Sequence, residues 1–119
     1  MSVAAEHVLV VVSVDPETSH RANEAIRIAL GILAGENHLT LALLGPAVKV
    51  LGPEVEDCID GEDTLKHVAT LKKLGQIFHV ERSAIPDHGD WNAGGPEVVP
   101  ISTDDLAALV ARGDRVLVF

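Results

Sequence analysis

The sequence has no tyrosine, one tryptophan and two phenylalanines, so any core must be built from aliphatic side chains. Its single cysteine, Cys58, excludes an internal disulfide and fits a reducing compartment. Basic residues are scarce, nine against eighteen acidic ones, and the formal charge is -9. That field repels phosphate backbones and anionic lipid, so neither nucleic acid nor membrane is an expected partner. The apolar run Val8-Leu-Val-Val-Val12 is too short for a signal peptide or a span, and the residues before it hold no basic region. The expectation is a soluble, cytoplasmic protein. There is also no glycine-rich phosphate fingerprint, no defensible zinc spacing and no calcium-hand pattern. No metal or cofactor is expected.

What is present suits a globular chain. At 119 residues, 47% of them hydrophobic and 23% charged, residues 1–119 read as one domain with a real core. Residues 7–14, with their β-branched run, suit a strand covered on both faces, as in a parallel sheet. Asp15-Pro16 stops it. Thr18 or Ser19 can cap a helix whose apolar positions Ala22, Ala25, Ile26, Ala29, Leu30 and Leu33 follow helical spacing, ended by Gly35.

Residues 38–44 form a second strand, broken by Gly45-Pro46. Residues 47–51 fit one helical turn or extended chain. Asp60 or Asp63 can cap a helix over about residues 64–74, with Leu65, Val68, Ala69 and Leu71 buried. Residues 76–80 read as a third strand and 86–96 as loop. Residues 98–101 are a short extended piece that Pro100 confines to an edge or strand end. Ser102 and Asp105 approximate a capping box for a helix with Leu106, Leu109 and Val110 inward, and Gly113 ends it before a strand at 115–119. Strands alternating with helices imply a mostly parallel sheet of about five strands with helices on its faces.

In such sheets ligands sit beyond the carboxyl ends of the strands. Those ends supply Asp15, Ser19, His20, Gly45, Glu81, Arg82 and Ser83 as candidate ligand-binding residues. Thr18 and Ser19 also fit plain helix capping. His79, Glu81, Asp87, His88 and Asp90 are dense in donor atoms, yet their spacing reads better as solvated loop than as a metal site.

Cys58 lies among Glu56, Asp57, Asp60, Glu62 and Asp63. A free thiol titrates near 8.5, and each carboxylate within about 7 Å disfavours thiolate by on the order of 1 kcal/mol. Only Lys66 or a helix N-terminus is placed to oppose that. The expectation is a protonated, unreactive thiol.

The order of motifs resembles the DsrE/DsrF-like family, which includes the Tus sulfur-relay subunits. The likeness runs from the opening strand and Ala-rich helix through Leu39-Thr-Leu-Ala-Leu-Leu44 and Gly45-Pro-Ala-Val-Lys-Val-Leu51. It continues in Val68-Ala-Thr-Leu-Lys-Lys-Leu-Gly75. The closing Val99-Pro-Ile-Ser-Thr-Asp-Asp-Leu-Ala-Ala-Leu-Val-Ala-Arg-Gly-Asp-Arg-Val-Leu-Val-Phe119 is similar to the TusC-like branch. The resemblance implies a small flavodoxin-like, Rossmann-like three-layer α/β fold. It also implies self-association as a trimer or hexamer, or assembly with sister sulfur-relay subunits. Sulfur-carrying members hold a persulfide on a cysteine just after the third strand, and here that place falls on Glu81. A carboxylate cannot carry a persulfide.

The leading expectation is therefore a non-catalytic binding or scaffolding subunit linked to sulfur trafficking. Its alternatives are a sulfurtransferase using Cys58, a small-molecule enzyme using Glu81 with His79 or His88, and a purely structural assembly. Val48, Val50 and Leu51 suit either subunit contacts or core packing.

Overall fold

The apolar run forms β1 (His7–Val12), in which every residue from Val8 onward is buried. A strand apolar on both faces needs helices on both sides, and the computed structural model, which describes residues 6–87 and 89–119, supplies them. In chain order follow α1 (Arg21–Ala34), β2 (His38–Leu43), α2 (Gly61–Lys73), β3 (Phe78–Glu81), β4 (Val98–Ile101), α3 (Thr103–Arg112) and β5 (Arg115–Val118). All pairings are parallel, and the sheet order is β4-β3-β2-β1-β5. The three-layer parallel α/β fold expected from the sequence is present. No helix among the described residues is long and apolar enough to cross a membrane.

Right-handed crossovers explain the layering. From β1 to β4 the chain steps sideways in one direction, which puts α1 and α2 on one face. The return from β4 across the sheet to β5 puts α3 on the other. The first face is the main core: Val8, Val10, Val12, Leu41, Leu43, Phe78 and Val80 meet Ala22, Ala25, Ile26 and Ala29 of α1 and Val68 and Leu71 of α2. The second is smaller: Leu9, Val11, Ala42 and Ile101 under Leu106 and Leu109.

Local expectations fare unevenly. Residues 47–51 belong to a 3-10 segment, Gly45–Leu51, that turns Val48, Val50 and Leu51 into the core. These three residues therefore face the interior and are withdrawn as subunit contacts. A second 3-10 segment, Pro53–Asp57, leads to α2, which starts three residues before the expected point. Its buried positions are Gly61, Thr64, Val68 and Leu71, so Leu65, 50% exposed, and Ala69 are not core. The rotation has two causes, both in the first turn of the helix. Gly61 lies so close to the Val55 carbonyl that a Cβ would sit 2.0 Å from it. Thr64 is buried because its hydroxyl donates to Asn23 Oδ1 (2.9 Å), tying α2 to α1.

Of the two expected caps of α2, Asp60 occupies the N-cap and Asp63 does not, but the Asp60 side chain makes no capping bond. Likewise α1 has His20 at its N-cap with no capping bond from its side chain, rather than Thr18 or Ser19. For α3 the capping box is present, with Ser102 N–H on Asp105 Oδ2 (2.9 Å) and Asp105 N–H on Ser102 Oγ (3.2 Å). Val110 faces solvent, 44% exposed, and Pro100 sits on an edge strand as expected.

Candidate functional site

Gly45 opens its 3-10 segment with φ +52°, a left-handed backbone that glycine adopts without strain. That turn aims its N–H at Glu81, whose Oε1 accepts at 3.0 Å. Two of the expected site residues, from the ends of β2 and β3, are thus joined directly. Four residues further along the same segment, about 8 Å at a 3-10 rise, Lys49 reaches the β1–α1 loop. Its Nζ lies 3.2 Å from Asp15 Oδ1 and 3.0 Å from Glu17 Oε2. The Glu17 backbone N–H (3.0 Å) and the Lys49 ammonium hold the Asp15 carboxyl below the usual carboxylate range. Glu17 and Asp15 in turn raise Lys49. Sequence reading had no means to find Lys49, because nothing local to residue 49 marks a partner in another loop.

The other expected residues serve local ends. Ser19 Oγ accepts the Arg21 N–H (3.1 Å), and His20 Nε2 lies 3.8 Å from Glu24 Oε2 on the exposed side of α1. Arg82 and Ser83 belong to a single exposed 3-10 turn, Arg82–Ala84. The Asp105 carboxyl is held below its usual range by Ser102, and the Arg82 charge adds to that.

Cys58 is 8% exposed and donates its thiol hydrogen to the Glu54 carbonyl (3.4 Å). Burial pushes its pKa up, and Glu17, Asp15 and Asp57 push the same way against Lys49. The direction agrees with the expectation and most of the causes do not. Glu56, Asp60, Glu62 and Asp63 are exposed, and Lys49 rather than Lys66 opposes. The reason is a docking contact: Ile59 N–H bonds the Pro16 carbonyl (2.9 Å), laying the acidic loop against the β1–α1 loop. Cys58 therefore adjoins the Asp15–Lys49 cluster, as a buried neighbour with a protonated sulfur.

His79 shares its sheet face with Glu81, about 7 Å along β3 at two residues' separation. Burial lowers the pKa of its imidazole, and the Arg112 charge adds to this against a Leu41 backbone bond. His88 lies outside the described residues. Among the described residues, no three His, Cys, Asp or Glu side chains come together as a metal site. The sheet's topological switch lies between β1 and β5. Phe119 fills it: its carbonyl accepts from Ser13 N–H (2.8 Å) and Ser13 Oγ (3.2 Å), and Arg21 lies 5.8 Å over its ring. A cleft of about 550 Å³ opens elsewhere, where Trp91 and Pro96 face Val55, Leu65 and Val68.

Chemically, the strand ends offer a carboxylate held by an amide, an ammonium held by two carboxylates, and a thiol kept out of solvent. That set can hold a polar ligand or a partner's surface. It presents no activated nucleophile.

The DsrE/DsrF-like family model matches residues 6–119. No curated protein sequence matches significantly. Among solved structures, the YchN protein of E. coli is similar in fold, with a TM-score of 0.70, 17% identity, and coverage of 96% of this chain and 99% of that one.

Proposed function

This chain belongs to the DsrE/DsrF-like family, and on that premise we propose that it is a cytoplasmic, non-catalytic binding or scaffolding subunit linked to sulfur trafficking. The observation that carries this reading is the residue at the end of β3. Glu81 stands where sulfur-carrying relatives are expected to place a cysteine, and its carboxylate is committed to the Gly45 amide. The lone thiol supports it, since a buried sulfur donating to a backbone carbonyl is a poor acceptor of persulfide. Self-association as a trimer or hexamer, or with sister subunits, belongs to the same reading. Exposed Val110, Val116 and Val118, on α3 and the β5 edge, offer apolar surface for it.

The test is persulfide loading from a sulfur donor, followed by intact mass and light scattering. The expected result is no added sulfur and a mass of three or six chains. One sulfur per chain that disappears in Cys58→Ser would replace this reading with sulfur transfer through Cys58.

A further inference from the structure

The cover over the second face of the sheet is narrow. The one helix on it, α3, is about 10–12 Å wide with its side chains, while the four strand spacings between β4 and β5 span about 19 Å. Space is left beside it. Next to its carboxyl end lies a cavity of about 190 Å³ whose polar lining is His7, Thr40, His79 and Arg112. The register explains the grouping. His7 pairs with His38, Leu9 with Thr40, and Ala42 with His79. His7, Thr40 and His79 therefore face the same way from three neighbouring strands, and Arg112 comes down from α3 above them.

In a chain of charge -9 this cavity has no carboxylate in its lining. The nearby acids are outside its lining and hold partners of their own. Asp114 accepts the His7 backbone N–H (2.8 Å), Glu6 pairs with Arg115 (2.7 Å), and Asp105 is bound to Ser102. Asp105 also lines the adjoining cavity of about 270 Å³, which shares His79 and Arg112. His7 stacks on His38 with ring centroids 4.9 Å apart, adding a further imidazole and no acid. Inside, Nδ1 of His79 is buried without a hydrogen-bond partner. A guanidinium and two imidazoles gathered with no carboxylate in the lining favour an anion, and the unpartnered ring nitrogen of His79 can donate to one when the ring is protonated.

We propose that this cavity binds a small tetrahedral oxyanion of the phosphate or sulfate type, held by Arg112, His79 and His7. The volume equals about six waters, enough for one such ion with part of its hydration shell. The last carbonyls of α3 oppose an anion by roughly half a charge, which the full charge of Arg112 outweighs, and protonation of His79 adds to it. Binding therefore tightens as pH falls below the histidine range.

The intact protein is titrated with sodium phosphate, and separately with sulfate, against sodium chloride of matched ionic strength at slightly acid pH. Thermal unfolding and the histidine ring resonances are followed. At phosphate tenfold above its Kd, the midpoint is expected to rise by about 5 °C, with saturable movement of the His79 resonances. Both responses are lost in Arg112→Gln, an exposed position whose change spares the fold, and are weakened in His79→Gln. A response to sulfate but not phosphate, or the reverse, names the ion. No saturable response, or one that survives Arg112→Gln, overturns the proposal and leaves a cavity filled by water.

Discussion

The two faces of the sheet draw on the same strands and are finished differently. Over Val8, Val10, Val12, Leu41, Leu43, Phe78 and Val80, two helices and the Gly45–Leu51 segment close a continuous interior. Over Leu9, Val11, Ala42 and Ile101 there is only α3, none of whose residues is fully buried. The closed face has apolar side chains at nearly every inward position. The open one retains Thr40 and His79 beneath its helix, with two cavities beside them. Stability is thus concentrated on one side, and the other side is free to hold polar groups that a tight core would exclude.

The largest test of that difference is a pair of truncations. Phe78→Ala removes a fully buried ring from the closed face and is expected to cost about 3–5 kcal/mol in urea unfolding. Leu109→Ala, in the half-buried cover of the open face, is expected to cost about 1 kcal/mol. Equal losses would mean that the two faces contribute alike, and the comparison would fail. A smaller effect concerns how α3 is held at all. Ser102→Ala removes the capping box and is expected to cost about 1 kcal/mol. Amide exchange should quicken in α3 and stay unchanged in α1. Faster exchange in both helices would make α3 part of one cooperative unit with the closed face.

This contrast also sets what the sequence could disclose. β1 was legible because five successive apolar residues leave no polar face, and α3 because its cap is local in sequence. Val68 and Leu71 of α2 were placed correctly, but Leu65 and Ala69 were not, because the orientation of the helix depends on two contacts outside it, Gly61 against Val55 and Thr64 with Asn23. Among site residues, Gly45 and Glu81 could be placed because both end strands, where ligands of parallel sheets gather. Lys49 and the true neighbours of Cys58 could not, since Ile59 docks on Pro16 across separate loops. The acidic residues beside Cys58 in sequence suggested the right direction of its pKa, though burial is the largest cause.

The smallest expected effect is a pH dependence confined to the open face. In the folded protein the His79 pKa lies below its ordinary value of 6.5, through burial and then through Arg112. Without a bound anion, the unfolded chain takes up this proton more readily than the folded one. The contribution of neutral His79 is therefore complete above that ordinary value and is lost as pH falls toward the folded-state pKa. Asp15 and Asp105, whose carboxyls are depressed, lose their contributions only further down, as pH falls below 3.8. Between about pH 7 and 5 the unfolding free energy of the wild type should thus fall relative to His79→Gln, measured in buffer free of phosphate and sulfate. Saturating oxyanion should reduce or reverse that slope, because a bound negative charge favours the imidazolium. A wild type that gains on the variant as pH falls, with no oxyanion present, would mean that the folded protein already pairs the charged ring. The open face would then hold a satisfied polar interior, and its contrast with the closed face would be one of material only.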